Sequence, residues 1–250
     1  MERDSTRSDE LVLFDRKSPT VAVAVGAILA SVFVVAELFP ISLFIGSTVL
    51  ANITLSIAIA PLFGILLGPW RGAAFGLVAG ILRATLIGGL SLVVPTIIFG
   101  PAISGLLTGL CVRAVTDARG HYAYGPLLTS LYVFVIIILY MIPNAGFWWF
   151  MLPYMCAGVV ALIFALRGSD IRRSLSSSGG LTPAIIIALA LVGTITDFSM
   201  MTMGAVYILQ IPGEVFGYLI FPVMLAERTF ATVASALVAA TVLRAVPELV

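Results

Sequence analysis

Charge is what this chain has least of. Asp, Glu, Lys and Arg make up 10% of its 250 residues against 61% hydrophobic, with a mean hydropathy of +1.17. Soluble domains carry roughly 25% charged residues, so a water-soluble class is excluded. Histidine is almost missing: the single one, His121, sits beside Arg119 and Gly120, far along the chain from Ser104, the serine that most resembles half of a nucleophile and base pair. Serine chemistry needs both groups within hydrogen-bond reach, and a metal-dependent membrane enzyme needs clustered His, Asp or Glu. The sequence offers neither. No glycine-rich phosphate loop with a lysine is present, so ATP hydrolysis by this chain alone is not expected. Cys111 and Cys156 both lie in apolar stretches with no second Cys or His at ligand spacing, so neither a disulfide nor a metal site is expected. A net charge of +1 gives no reason to expect a nucleic-acid partner. The expectation is a non-enzyme without a cofactor, in the class of transport or binding.

What is present is length in apolar runs. A bilayer core of about 30 Å asks for roughly 20 apolar residues per helix, and the punctuation by Pro, Gly and charge divides the chain into eight such spans. They run near 20–40, 48–68, 72–90, 94–114, 125–142, 147–166, 182–206 and 218–243. The weakest divisions lie between the second and third and between the fifth and sixth. The fold class expected is all-α, a polytopic membrane helical bundle of about eight spans in one domain over 20–250. Residues 1–19, too acidic for a secretory signal, read as a disordered cytoplasmic tail. Residues 168–181, rich in Ser and Gly, read as a cytoplasmic loop.

The basic residues test this partition. Arg3, Arg7, Arg16, Lys17, Arg71, Arg113, Arg119, Arg167, Arg172, Arg173 and Arg244 all fall on one side if the spans alternate. The opposite connections, near 41–47, 89–93, 143–147 and 207–217, contain no Lys or Arg. Basic residues concentrate on the cytoplasmic face, so both termini are expected there.

Arg83 and Arg228 are the two exceptions, and both lie inside spans. At about 1.5 Å per residue, Arg83 lies roughly 16 Å from the cytoplasmic end of its span, and Glu227 and Arg228 about 14 Å from the outer end of theirs. A charge at such depth costs about 2.5–3.5 kcal/mol on insertion scales, so it is normally paired or faces a cavity. Arg83 and Glu227 are expected to pair, either as a structural clamp or as part of a substrate site. Asp197 joins them in the candidate polar centre. Glu37, Asn52, Trp148 and Gln210 are further candidates in the outer half. Solvation near the interface also accounts for Glu37, and an interfacial aromatic belt accounts for Trp148.

Helices in lipid associate where small residues let backbones approach. Four ladders have the right spacing: Ala22, Gly26 and Ala30; Gly72, Gly76 and Gly80; Gly105 and Gly109; Ala231, Ser235 and Ala239. Each reads either as internal packing or as a docking face. Pro61, Pro101 and Pro222 are expected to kink their spans.

The run Ala60-Pro61-Leu62-Phe63-Gly64 through Leu67-Gly68-Pro69-Trp70-Arg71-Gly72, followed by Gly76 and Gly80, resembles two helices of the substrate-binding S components of energy-coupling factor transporters. Phe221-Pro222 through Ala226-Glu227-Arg228 is similar to the last helix of that family. The resemblance covers about 50–60 residues by motif matching. It implies a membrane subunit that captures a vitamin or other micronutrient from outside and works with a transmembrane coupling subunit and two cytoplasmic ATPases. It also implies that Ala22, Gly26 and Ala30, matching a small-residue motif of the family, face the coupling subunit. Family members usually have six helices, so eight spans imply an added hairpin, placed most naturally around 125–166. The alternative reading is an autonomous secondary transporter, with the buried acids carrying coupling ions.

Overall fold

The computed structural model describes residues 19–45, 48–86, 94–117, 121–178 and 181–245. The expected tail up to residue 18, with its four basic residues, and also Arg119 and the connection near 89–93, lie outside the described residues. The described residues are helical apart from one short hairpin and the connecting turns. Helix α1 spans Pro19–Glu37, strands β1 and β2 span Pro40–Ile45 and Thr48–Thr54, and a 3₁₀ turn at Leu55–Ala58 leads into α2, Ala60–Leu67. Then come α3 (Pro69–Leu86), α4 (Val94–Thr116), α5 (Gly125–Asn144), a 3₁₀ turn (Ala145–Met151), α6 (Leu152–Ser178) and α7 (Pro183–Tyr207). A π-helical turn, Val215–Ile220, opens directly into α8, Phe221–Ala245.

Among the described residues, five helical stretches are long and apolar enough to cross a membrane: Thr20–Glu37, Ile98–Thr116, Gly125–Leu175, Pro183–Tyr207 and Val215–Ala245. The third contains both α5 and α6, which the bend at Phe147 separates.

The expected second span, 48–68, is not one helix. Its first seven residues form β2, antiparallel to β1, with Pro40 opposite Thr54 and an irregularity at Leu43/Phe44. Periodicity cannot tell a strand from a helix within a continuous apolar run; here β-branched Thr48, Val49, Ile53 and Thr54 favour the extended form. Helix starts only where Pro61 pre-sets the first turn. The resulting α2 is eight residues long and buried on every side, about 12 Å at helical rise. A helix apolar all round belongs inside a protein, and α2 is held by α3, α4 and α7. It ends at Gly68, whose φ of 77° turns the chain straight into α3. The left-handed region is open to glycine without penalty.

Two further expectations change. The sixth span begins at Leu152 rather than 147, because residues 145–151 form the 3₁₀ turn. The presumed loop from 168 is mostly a continuation of α6, which runs on through Arg172 and Arg173 to Ser178. Arg172 donates from Nη2 to the Ala114 carbonyl of α4 at 2.8 Å, tying this extension to the bundle. Among the proline candidates, Pro101 lies inside α4, whereas Pro61 opens α2. Pro222 follows the π-helical turn, an irregularity of the sort that accommodates a missing N–H.

All four small-residue ladders are used inside the molecule. A Cβ on Gly72 would lie 2.6 Å from the Phe63 carbonyl oxygen, and one on Gly76 or Gly80 would strike the carbonyl of Pro101 or Ile98. Gly105 faces Gly72 in return, so α3 and α4 run antiparallel with backbone against backbone. Ala22 and Ala30 are buried, and Gly26 sits under the ring of Phe75 on α3. Within the chain, then, these three residues of the expected docking face serve internal packing, with Gly26 against α3. Ala231, Ser235 and Ala239 of α8 are likewise fully buried.

Among the described residues two large apolar cores result. One gathers Phe33, Phe63, Leu62, Leu66 and Leu189 around α2; the other gathers Tyr140, Phe150, Tyr154, Phe198 and Phe216 between α5, α6 and α7. Helix α7 contributes to both and touches α2, α4, α5, α6 and α8. It is therefore the element best placed to present a buried polar group.

Candidate functional site: a buried charge cluster

Helix α7 carries that group in the sequence Thr194-Ile195-Thr196-Asp197-Phe198-Ser199. Its hydroxyls are consumed locally or by neighbours. Thr196 Oγ1 donates to the Val192 carbonyl at 2.8 Å, Ser199 shares a 2.7 Å hydrogen bond with the Tyr132 hydroxyl, and Thr194 pairs with Thr232 of α8 at 3.1 Å. Asp197 is left facing α8. There Arg228 Nη1 lies 3.5 Å from Asp197 Oδ2 and donates to the Thr194 carbonyl at 3.1 Å, while Nη2 lies 3.1 Å from Glu227 Oε1. The guanidinium carbon stands 4.5 Å from the centre of the Phe198 ring, a cation–π arrangement. One buried arginine thus serves two carboxylates, a backbone carbonyl and an aromatic face. Planar multi-donor geometry suits arginine to this and lysine not.

A second ion pair joins α1 to α3. Glu37 is the last residue of α1, where the helix dipole disfavours an anion. Its carboxylate is compensated by Arg83 of α3, with Nε 2.7 Å from Oε1, and by Ser56, whose hydroxyl donates to the same oxygen at 2.8 Å. Ser56 in turn shares a 2.8 Å hydrogen bond with Thr54 at the end of β2. Asp197 lies within electrostatic range of both pairs, Arg228 and Glu227 on one hand and Arg83 and Glu37 on the other. Gly100 of α4 permits the close approach behind it, since a Cβ there would lie 2.9 Å from Asp197 Oδ1.

The cluster gathers Arg83, Asp197, Glu227, Arg228 and Glu37, but the expected partnership is rearranged. Arg83 pairs with Glu37, and Glu227 with its own neighbour Arg228. The chain positions that set Arg83 and Glu227 at similar depth carry no information on which faces turn toward each other. Solvation at the interface does not account for Glu37, whose side chain is 3% exposed.

Trp148 and Gln210 lie outside these ion pairs. Gln210 is exposed in the connection after α7, with φ 52°, and Asn52 lies in β2 opposite Ser42. Trp148 is half-exposed in the aromatic turn, edge to face with Trp149, whose Nε1 donates to the Gly217 carbonyl at 3.2 Å. Among the described residues no hydrogen bond or ion pair links Trp148 or Gln210 to the cluster. Ser56, Thr194 and Phe198 complete the site without having been singled out in the sequence. The available signal was the polar insertion of Thr54 and Ser56 into an otherwise apolar run.

The Glu37–Arg83 pair makes a testable prediction. Glu37→Gln or Arg83→Gln is expected to lower stability by about 1–3 kcal/mol, the cost of leaving a buried polar partner unmatched. The swapped double variant Glu37→Arg/Arg83→Glu recovers part of that loss in a detergent melting assay. An Arg83→Glu/Glu227→Arg swap recovers none of it.

Comparison with protein-family models, with curated proteins and with solved structures finds no match to this chain.

Proposed function

We propose that this chain is the membrane-embedded substrate-binding subunit of an ATP-driven importer of the energy-coupling factor type, taking up a vitamin or similar micronutrient. The observation that carries the reading is the cluster of Glu37, Arg83, Asp197, Glu227 and Arg228, assembled from α1, α3, α7 and α8 within an apolar bundle. Intramembrane ionisable groups held together at such a cost mark substrate or ion sites. The side chains of Arg83, Asp197 and Glu227 keep 25%, 14% and 16% of their exposure, so these three are not fully sealed by the rest of the chain. The resemblance of residues 60–80 and 221–228 to S components points to the importer rather than to another class of solute-binding membrane protein. In this reading the coupling subunit and the two ATPases are separate chains. Because α1 turns its small residues inward, the coupling subunit meets some other face.

The test is reconstitution in proteoliposomes. Uptake that requires added coupling subunit and ATPases together with ATP supports the importer; accumulation by the purified chain alone, driven by an ion gradient, overturns it. That second outcome is the autonomous transporter, which the surplus of acids over bases in the cluster favours.

The proposal includes eight crossings of the cell membrane, the second made by the hairpin and the short α2, with both termini cytoplasmic. It predicts that, in a Cys156→Ser background, Arg167→Cys reacts with an impermeant maleimide only from the cytoplasmic side and Gln210→Cys only from outside. Labelling of both from one side breaks the topology.

A further inference from the structure

The charge balance of the cluster restricts what it can hold. Three carboxylates, Glu37, Asp197 and Glu227, face two guanidinium groups, Arg83 and Arg228. Glu37 and Arg83 close on each other at 2.7 Å, with Ser56 completing the carboxylate. Asp197 and Glu227 then share Arg228 alone. One negative charge is left over in a region of low dielectric, where an uncompensated ion is costly. The exposures say which charge a visitor meets. The Asp197 and Glu227 side chains are 14% and 16% exposed, whereas Arg228 behind them is 5% exposed. Arg83 is the most open of the cluster, but its charge is already matched by the buried Glu37.

Arg228 also has an unmet demand of its own. Its Nε is buried and finds no hydrogen-bond partner among the described residues, although both terminal nitrogens are engaged. A buried N–H without an acceptor costs stability until one arrives. A metal ion is a poor candidate for the surplus charge: among the described residues no group of three or more His, Cys, Asp or Glu could hold one, and hard cations such as calcium need six or more oxygen ligands.

We infer that the Asp197, Glu227 and Arg228 site takes a small organic monocation, a protonated amine with a neutral hydrogen-bond acceptor a short distance away. The amine neutralises the surplus between Asp197 and Glu227, and the acceptor meets Arg228 Nε. This inference rests on the proposed solute-binding role and names the chemistry of the solute.

The experiment uses the full chain purified in detergent, with thermal melting as the readout. The probes are similar in size: ethanolammonium, ethylene glycol, glycolate and zwitterionic β-alanine at equal concentration and ionic strength. Ethanolammonium is expected to raise the melting temperature by about 2–4 °C, the usual response of a chain of this length to a modest stabilisation, and the others by less. Protection is lost in Asp197→Asn and in Glu227→Gln. Without any probe, each single variant melts no lower than the wild type, because each leaves Arg228 one carboxylate and a neutral cluster, while the double variant melts well below. Equal or greater protection by glycolate or β-alanine overturns the inference. So does the absence of any effect of ethanolammonium, a melting temperature that answers to pH alone, or a single variant as unstable as the double. No ATPase or coupling subunit is present in this assay, so a failed uptake experiment leaves the inference standing, and its own failure leaves the importer to the uptake test.

Discussion

Arg228→Gln is expected to be the most damaging substitution within the charge cluster, lowering stability by about 3–5 kcal/mol, the range for removing one partner of a buried ion pair. The reason is the number of groups that depend on one side chain. With the guanidinium gone, Asp197 and Glu227 are both left without a counter-ion, the Thr194 carbonyl loses its extra donor, and Phe198 loses the cation over its ring. Two carboxylates of like sign then remain largely buried with no cation between them. Arg228→Lys keeps the charge but cannot span Asp197, Glu227 and the Thr194 carbonyl together, and is expected to fall between the two. The measurement is melting temperature and yield of monodisperse protein in detergent. If Arg228→Gln melts like the wild type, the cluster is not held together by Arg228. Restoration by the triple variant Arg228→Gln/Asp197→Asn/Glu227→Gln would identify stranded charge, rather than lost packing, as the cause.

The second large effect is steric. Gly76→Leu and Gly105→Leu are each expected to abolish correct assembly of α3 on α4, with a cost above the usual 1–3 kcal/mol for adding methylenes to a filled core. In both cases the first atom added meets backbone. The Gly76 Cβ strikes the Pro101 carbonyl, and that of Gly105 strikes the Gly72 carbonyl. Backbone cannot rotate aside, so the helices must separate. Separation would carry Arg83 away from Glu37, because Arg83 rides on the same helix as Gly76. Gly168→Ala supplies the control: nothing lies within 4 Å of a Cβ there, so it is expected to be neutral or slightly stabilising through helix propensity. Size-exclusion profiles and melting curves of the three variants decide the matter. Equal stability of Gly76→Leu and Gly168→Ala would refute the close approach.

Much of this bundle was legible before any coordinates. Low charge and long apolar runs are enough to announce membrane-crossing helices, because the cost of burying an unpaired backbone leaves the bilayer few other options. The bounds of α4, α5, α7 and α8 follow within a few residues from Gly, Pro and charge alone. Composition fails where the backbone has a choice. In residues 48–67 one apolar run holds strand, 3₁₀ turn and short helix; Pro61 marks where α2 begins, and α3, α4 and α7 supply the packing that holds it. At 168–178 a polar composition reads as loop, yet the residues extend α6 because Arg172 finds the end of α4.

The amino-acid sequence by itself determined which residues had to find partners: Glu37, Arg83, Asp197, Glu227 and Arg228 are too costly in an apolar setting to stand alone, whatever the fold. It also supplied the small residues through which helices approach. Only the tertiary structure decided the pairings, giving Arg83 to Glu37 and leaving Arg228 to Asp197 and Glu227, and turning the α1 ladder inward. Charge and depth are properties of a position along one helix, whereas pairing depends on the rotation of each helix about its axis. That rotation is set by the fit of whole helix faces, such as Gly72, Gly76 and Gly80 against α4, many residues away from the charges they bring together.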